Sequence, residues 1–342
     1  MSLKSLSAKT KIRNLLISKL KNKKVNQIYK KFEKNLQLNE SFAVAVSGGP
    51  DSLALSFLAK IYSLKKKINC KFLIVDHKLR RSSTVEAKLV KKILKRFFIN
   101  SDILTWKGKK PLKNVQSLAR EKRYKLLTEN CKKYKISNIL LGHHQDDLFE
   151  NFFIRMLRGS GLKGLISLDK KTNINSINLH RPLLGHKKSD LVFLSKHVFK
   201  FYVKDPSNYD EKFQRVKIRK IIKEFQKNGF DEIKFLKTLN NLKSSNAVVN
   251  FYVKENLKKN SFFSKSKGNL ILSKEFFLQP YEVVFRSFSD SISLVGNKKY
   301  SVRGKKLDRI VSNFKNNQLS KVTLGGCIIE KVNQTVILRK EH

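Results

Sequence analysis

Residues 44–55 read VAVSGGPDSLAL, an apolar run that stops at Ser-Gly-Gly-Pro-Asp-Ser and then resumes. From Phe42 to Val46 the side chains are apolar throughout, the pattern of a strand buried on both faces. From Asp51 onward, Leu53, Ala54, Phe57, Leu58 and Ile61 recur at spacings of three and four, which predicts a helix face. The hexapeptide between them is therefore a strand-to-helix turn. Gly48 and Gly49 open backbone conformations closed to other residues and let a ligand approach the main chain. Amides at a helix start point outward with partial positive charge, and Ser47 and Ser52 add hydroxyl donors. Such a turn is a phosphate cradle. A glycine turn with a serine cap is the plainer alternative, common for any single Gly-Gly.

The string contains neither G-x-x-x-x-G-K-[ST], which would bring a phosphate-binding lysine, nor the G-x-G-x-x-G dinucleotide turn. S-G-G-x-D-S resembles instead the pyrophosphate-binding loop of the N-type ATP pyrophosphatases, or PP-loop superfamily. Those enzymes split ATP into AMP and pyrophosphate to activate a carbonyl oxygen. Alone, the hexapeptide names only that superfamily.

At 342 residues, 40% of them hydrophobic, the chain is long enough for two domains with real cores. Cys70, Cys131 and Cys327 lie far apart with no C-x-x-C pair. That pattern argues against a zinc ribbon or redox pair and fits a reducing, cytoplasmic compartment. No stretch approaches the roughly 20 apolar residues a membrane helix needs. Lysines interrupt the apolar segment from Ile12 to Leu20, which argues against a secretory signal. Residues 1–35 hold eleven Lys or Arg and one acid, Glu33. They read as a basic amphipathic helix, an organellar transit peptide being the alternative.

The formal charge of +48 implies a polyanionic partner, most plausibly nucleic acid. Lysine outnumbers arginine 59 to 15, a bias that an AT-rich genome would produce unaided, so part of the charge is drift. Against that background the arginines are informative. Arg80, Arg120, Arg123, Arg155, Arg158, Arg181, Arg215 and Arg219 fall in or beside the motifs below, and guanidinium forks suit phosphates and carboxylates.

Further along, CKFLIVDH (70–77) predicts a second strand ending in Asp76-His77. A helix is expected from about Thr84 to Phe97, a strand over Ser101–Trp106 and a long helix over Val115–Lys133. SNILLGHH (137–144) predicts a strand running into a histidine pair. Alternating strands and helices imply an α/β fold: a parallel sheet with helices on both faces. Ligands in such sheets sit beyond the carboxyl ends of the strands, where Ser47–Ser52, Asp76-His77 and His143-His144 all fall. Residues 1–39 form a basic helical extension and 40–220 the catalytic domain. Residues 221–342 form a helical linker, read over 221–257, and a smaller α+β C-terminal domain.

A second constellation is GHHQDDLFENFFIRMLRGSGLKGL, residues 142–165. On a helix, His143, Asp147 and Glu150 at i, i+4 and i+7 would share one face. Asp147 and Glu150 form an acidic pair suited to a magnesium ion beside ATP or to an ammonium group. The Arg158-Gly-Ser-Gly turn that follows suits an anion. A solvated polar helix start, its acids compensating the helix dipole, is the plainer reading, and the stronger one for Asp146 taken alone.

In order, the chain carries SGGPDS (47–52), DHKLR (76–80), AREKRY (119–124), HQDDLFE (144–150), RGSGLKGL (158–165), RPLL (181–184) and DPSN (205–208). This series, over about residues 40–220, resembles the tRNA(Ile)-lysidine synthetase family. TLGGCII and VILRKE near the C-terminus resemble the family's tRNA-binding tail in compact form.

The resemblance implies an ATP-dependent ligase. It adenylates O2 of the wobble cytidine in the CAU anticodon of an isoleucine tRNA, and the ε-amine of free L-lysine then attacks C2. Lysidine, AMP and pyrophosphate result, and decoding switches from AUG to AUA. Ser47, Gly48, Gly49, Pro50, Asp51 and Ser52 would hold the pyrophosphate, with Asp51 ordering the loop or the magnesium that accompanies ATP; no protein cage for the metal is expected. His77 would meet adenine, ribose or the α-phosphate. Asp147 and Glu150 would bind the lysine ammonium groups and accept a proton. Arg120 or Arg123 would pair with the lysine carboxylate or a phosphate, and Arg158 with a phosphate of ATP or the anticodon loop. His143, Asp146, Arg181, Arg215 and Arg219 complete the expected substrate contacts. Many relatives form homodimers, which leaves that state open here.

Two positions depart from the family pattern. Asn151 stands where Thr is usual, and Val216 follows Arg215 where Asn is frequent. The runner-up is a tRNA sulfurtransferase of the same superfamily, many of which carry paired cysteines. Amidotransferase-type members would need neither the +48 charge nor the H-x-D-D-x-x-E helix. A non-catalytic RNA-binding protein with a relic loop is the rival from another class, and nucleotide turnover separates it from any enzyme.

Overall fold

The apolar runs of the N-terminal half become strands of one six-stranded sheet. They are β1 (Phe42–Val46), β2 (Cys70–Asp76), β3 (Ser101–Thr105), β4 (Asn138–Leu140), β5 (Lys171–Ile174) and β6 (Ile177–His180). The computed structural model describes residues 14–80, 82–108, 115–174, 176–203, 210–212, 214–264, 268–297, 302, 304–315 and 320–341. Strand order is β3-β2-β1-β4-β6-β5, all parallel except β5, which pairs antiparallel with β6. From β1 the chain builds outward through β2 and β3, then crosses to β4 on β1's other side. The gap between the carboxyl ends of β1 and β4 is thus the topological switch point, where open α/β sheets bind ligands.

Side-chain alternation sends the two faces of β1 into different cores. Phe42, Val44 and Val46 join Phe72, Ile74 and Leu140 on one face. That face is covered by α1 (Lys23–Asn35), α2 (Pro50–Lys66) and α3 (Ser83–Arg96). Ala43, Leu73, Ile139 and Leu179 face the other way, against Tyr124, Leu127 and Cys131 of α4 (Val115–Lys133). Helices α5 (Gln145–Met156), α6 (Leu162–Leu165), α7 (Lys188–Phe199) and α8 (Gln214–Lys227) complete this half. Leu191, Leu194 and Val198 of α7 join the first core. The expected parallel sheet with helices on both faces is present. The β5–β6 hairpin is additional, pairing Thr172 with buried Leu179 and Ile174 with buried Ile177.

Helix α2 starts with Pro50 at its first position and Asp51 in its first turn, both favoured there. It ends at Lys67 with φ 57°, and α7 ends at Lys200 with φ 56°, left-handed caps occupied by lysine. Tyr62 of α2 is fully buried among aromatic rings; its hydroxyl accepts from Leu38 N at 3.0 Å and donates to Leu38 O at 2.9 Å. That pair of bonds ties the segment between α1 and β1 to α2.

The chain divides into one compact unit ending at Phe230 and a second beginning at Asp231. The helical stretch read over 221–257 is two helices, because Gly229, with φ 87°, ends α8. The Asp231 carboxylate then caps α9 (Glu232–Asn260) by accepting from Ile233 N and Lys234 N. In the second unit, β7 (Ser261–Ser264), β8 (Asn269–Leu272), β9 (Lys321–Leu324), β10 (Cys327–Val332) and β11 (Thr335–Lys340) form an antiparallel sheet ordered β7-β8-β11-β10-β9. It packs with α10 (Lys274–Phe277), α11 (Tyr281–Val295) and α12 (Gly304–Lys315) around Phe276, Phe288, Ile292 and Leu338. Among the described residues, no helix is long and apolar enough to cross a membrane.

Replacing Tyr62 with Phe removes both bonds to Leu38 and leaves its part-buried amide and carbonyl without that partner. The expected cost is about 1–3 kcal/mol, read as a lower urea midpoint with an unchanged slope; an unchanged midpoint would refute the tie.

Candidate active site

The turn from β1 into α2 is held by one hydroxyl. Ser52 Oγ accepts from the amides of Ser47 and Gly48, both at 3.1 Å, and donates to Gly49 O at 3.0 Å. Ser47 Oγ lies 3.1 Å from it. Gly48 has φ +84°, and a Cβ there would come within 2.5 Å of Val90 Cγ2 and 3.0 Å of Val203 Cγ2. Only glycine fits. From α7, Ser195 Oγ donates to Pro50 O at 2.7 Å, and Lys188 Nζ reaches both carboxylate oxygens of Asp51 at 2.7 and 2.5 Å. A lysine therefore stands at this loop after all, supplied from another helix.

At the end of β2, Asp76 is buried and accepts from Lys78 N at 3.0 Å, Ser83 Oγ at 2.8 Å and Thr84 Oγ1 at 2.6 Å. Burial works to raise its carboxyl, but these donors outweigh it and hold the group below the usual carboxylate range. Asp76 organises the connection into α3 and leaves His77 beside Arg123. Burial, then the Arg123 charge, push the His77 imidazole down against the pull of Asp76, so it is neutral near pH 7.

At the end of β4 the helix starts later than the periodicity predicts. Its cap is His144 and its first residue Gln145, so His143 lies on the connector and not on the helix face with Asp147 and Glu150. The reason is Asp147 itself, whose Oδ2 accepts from His144 N at 2.9 Å and satisfies the cap amide. His144 Nε2 lies 3.5 Å from Asp147 Oδ2 and 3.7 Å from Asp51 Oδ2, bridging the phosphate-loop acid to the α5 acid. Burial works to raise the Asp147 carboxyl, but His144, His143, the cap amide and Arg215 together hold it low. His143 is pushed down to about 3 by burial, with Arg181, Arg120 and Arg123 adding to the effect against Asp147.

Glu150 is buried and gripped by Arg219 of α8, whose Nε donates to Oε1 at 2.6 Å. Burial keeps the Glu150 carboxyl raised despite that partner. Phe149 and Phe153 of α5 pack on Phe230 and Phe225 with ring centroids 5.6 Å apart in each pair, which fixes α8 beside α5 and so aims Arg219. Arg120 and Arg123 lie over the Tyr124 ring at 5.1 and 5.4 Å. The site is thus an acid pair at the switch point, joined through a histidine and enclosed by cations. It suits a polyphosphate at the loop and an ammonium group beside Asp147.

Residues 18–225 match the PP-loop domain family. The chain is 34% identical to a tRNA(Ile)-lysidine synthase of Orientia tsutsugamushi (strain Boryong), over 89% of this chain and 70% of that one. The chain belongs to the tRNA(Ile)-lysidine synthase family. It is similarly 33% identical to the synthase of Wolbachia pipientis wMel, over 89% of this chain and 71% of that one. The solved U34-tRNA thiolase NcsA from Methanococcus maripaludis superposes with a TM-score of 0.56 at 19% identity, covering 64% of this chain and 78% of that one; it shares the fold.

Against the family's motif series, the structure gathers Ser47–Ser52, His77, Arg123, His143, Asp147 and Glu150 near one rim. Arg158 is exposed, its Nη2 donating to Gln214 Oε1 at 2.7 Å, and Asp146 lies on the outer side of the cap, half exposed. Arg181 donates to Asp169 O at 2.8 Å and Thr172 Oγ1 at 3.1 Å, holding the β5–β6 hairpin. Arg215 is exposed on α8, its charge acting on Asp147 and Glu150. Residues 205–208, the DPSN motif, lie outside the described residues. Of the departures from the tRNA(Ile)-lysidine synthase pattern, Asn151 donates to Ser167 Oγ at 3.2 Å and Val216 is buried in α8. The cysteines Cys70 and Cys131 sit on opposite faces of the sheet, their thiols pushed up by burial, to about 11 for Cys131. Lys188 and the bridging role of His144 were missed from sequence. Lys188 carried no signal among 59 lysines, whereas the HH pair preceding the acids flagged His144 without its partners.

Arg219→Gln should leave Glu150 buried without its cation. Because burial raises the Glu150 carboxyl, protonation relieves that penalty at low pH and ionisation imposes it as pH rises. The variant should match wild type near pH 4 and be destabilised by about 2–3 kcal/mol above pH 7, the low end for a broken buried pair since Arg219 is part exposed. A pH-independent difference in urea unfolding would show that the pair is not the cause.

Proposed function

We propose that this chain is a tRNA(Ile)-lysidine synthase, an ATP-dependent carbon–nitrogen ligase acting on the wobble cytidine of isoleucine tRNA with a CAU anticodon. One observation carries the reading: Asp51 of the phosphate loop and Asp147 of α5 flank the same His144 Nε2, at 3.7 and 3.5 Å. A nucleotide on the loop and an amine at Asp147 would be neighbours, which an adenylating enzyme with an amine nucleophile requires.

In the first step, cytidine O2 attacks the α-phosphorus of ATP, and the bond to the β-phosphate oxygen breaks. Pyrophosphate leaves into the loop, where its oxygens take over the Ser47 and Gly48 amides now bonded to Ser52 Oγ. The α2 dipole and Lys188 stabilise the departing charge. In the second step the lysine ε-nitrogen attacks C2, the C2–O bond breaks and AMP leaves with that oxygen. The ε-ammonium gives up one proton before the attack and a second after it, both to water by way of Asp147, and the third stays on the nitrogen bonded to C2.

Asp147 is the ammonium contact. Glu150, already held by Arg219, takes the substrate cation only by exchanging partners. Arg120 and Arg123 bind the lysine carboxylate or a phosphate, and neutral His77 meets the nucleoside. The ε-amine of free lysine, which in water titrates near about pH 10.4, is mostly charged at neutrality. The surrounding arginines favour its neutral, nucleophilic form.

Magnesium fits this site in one mode. No group of three or more His, Cys, Asp or Glu among the described residues could hold an ion unaided, but magnesium characteristically uses one or two carboxylates plus substrate phosphates. Asp51 would hold it there, and the ion would neutralise phosphate charge.

The test is incorporation of radiolabelled lysine into an isoleucine tRNA transcript with a CAU anticodon, with and without ATP. Label should appear only with ATP and vanish when the wobble cytidine is changed. Asp147→Asn should raise KM for lysine by about 10-fold or more, as loss of a charge-assisted contact predicts. AMP release without lysine incorporation would refute the nucleophile, and unchanged lysine dependence in Asp147→Asn would refute its role.

A further inference from the structure

Asp51 is the loop carboxylate that a divalent ion beside a polyphosphate would use, and a cation already engages both of its oxygens. Lys188 Nζ donates to Oδ1 at 2.7 Å and to Oδ2 at 2.5 Å, while His144 Nε2 stands 3.7 Å from Oδ2. A divalent ion taking either oxygen would meet the ammonium as a like charge at close range, where repulsion in a part-buried site is strong. The ammonium and the ion therefore compete for one carboxylate.

Of the two partners, Lys188 is the one that can move. Its side chain is 39% exposed against 22% for Asp51, and its four-carbon stem is flexible. Asp51 sits on a short stem in the first turn of α2, beside Pro50, whose carbonyl accepts from Ser195 Oγ at 2.7 Å. Lys188 is also the first residue of α7, the positive end of that helix, where Asp190 is the favourable charge and a lysine is not. A cation set against the helix dipole needs an anion to hold it, and in the free protein Asp51 is that anion. A polyphosphate on the amides of Ser47 and Gly48 would carry more charge and compete with Asp51 for the same ammonium.

We propose that Lys188 stands in for a metal ion on Asp51, keeping divalent ions off the loop of the free enzyme. When a polyphosphate arrives, Lys188 passes to a phosphate oxygen and yields the carboxylate. When pyrophosphate leaves, Lys188 returns to Asp51 and the ion is released with the product. Ion and polyphosphate thus enter and leave together, each raising the affinity for the other by the same factor. The inference rests on the loop binding a polyphosphate but not on tRNA or on the nature of the nucleophile.

The experiment is two separate titrations of the free enzyme, with no turnover in either. Manganese(II), which shares magnesium's preference for oxygen ligands, is titrated in and its unbound fraction read by electron paramagnetic resonance. Radiolabelled pyrophosphate is titrated in metal-free buffer by equilibrium dialysis. Lys188→Met should bind manganese at least about 10-fold more tightly than wild type and pyrophosphate at least about 10-fold more weakly, the size expected of one charge-assisted contact. Lys188→Arg, which restores a cation suited to a carboxylate or a phosphate, should keep manganese binding weak and pyrophosphate binding strong. In an Asp51→Asn background, Lys188→Met should no longer change manganese affinity, since the carboxylate that both cations seek is gone. An ion pair that only braces the loop predicts the same sign for both ligands, because losing it loosens the site for each. Parallel shifts, or an unchanged affinity for either ligand in Lys188→Met, overturn the proposal. If that variant does not fold, Lys188→Gln carries the same test, with opposed shifts of smaller size expected. Wild type that binds no pyrophosphate overturns the phosphate-loop reading as well. Wild type that binds it, with shifts that are not opposed, overturns the exchange and leaves lysine incorporation to be judged alone.

Discussion

The Ser52 hydroxyl sets the geometry on which the site depends. By engaging the amides of Ser47 and Gly48 and the carbonyl of Gly49, it bends the chain directly from a central strand into a helix. The bend works only because Gly48 accepts a positive φ under the pressure of Val90 and Val203. On the far side, Gly142 brings the end of β4 so close that a Cβ there would lie 3.3 Å from the backbone of Asp51 and Ser52. The two halves of the switch point are therefore pressed together by residues without side chains. His144 can span from one acid to the other because nothing bulkier separates the strands.

A consequence of this close approach is that charge must be balanced inside the protein before any substrate arrives. Lys188 answers Asp51 and Arg219 answers Glu150, each reaching in from one of the helices that follow the last strand of the sheet. Ser52 likewise occupies amides that a phosphate would use. The site resembles a set of interactions already made with internal stand-ins, and binding exchanges partners without creating bare charges. Such exchange costs less reorganisation than opening a dry, unpaired site, since buried unpaired charge is what proteins tolerate least.

Much of this was legible in the sequence because local chemistry dictated it. The apolar run before SGGPDS, the strand ending at Asp76-His77 and the helix over Val115–Lys133 all emerged with their types correct. The β5–β6 hairpin was not legible, since KTNI and INLH are short, polar on alternate positions and without a strong turn signal between them. His143 was misplaced onto the helix because periodicity does not register that a cap amide can be satisfied by Asp147 three residues ahead. Glu150 looked like a free acid since its partner, Arg219, lies far along the chain. Lys188 was invisible for a related reason: a lysine-rich composition hides which lysine reaches the phosphate-loop carboxylate.

The same composition leaves a mark on the backbone. Helix ends that turn left-handed ordinarily carry glycine, yet α2 and α7 close on Lys67 and Lys200. Each such residue stores about 1–2 kcal/mol of steric strain, a sizeable part of a folding margin of roughly 5–15 kcal/mol. If codon drift toward lysine put them there, the chain has been losing stability at sites remote from its chemistry. The dense aromatic packing around Tyr29, Phe32, Phe42 and Tyr62 is then a reserve that lets it bear the loss. Mutational load in this protein would accumulate at its caps long before it reached its catalytic rim.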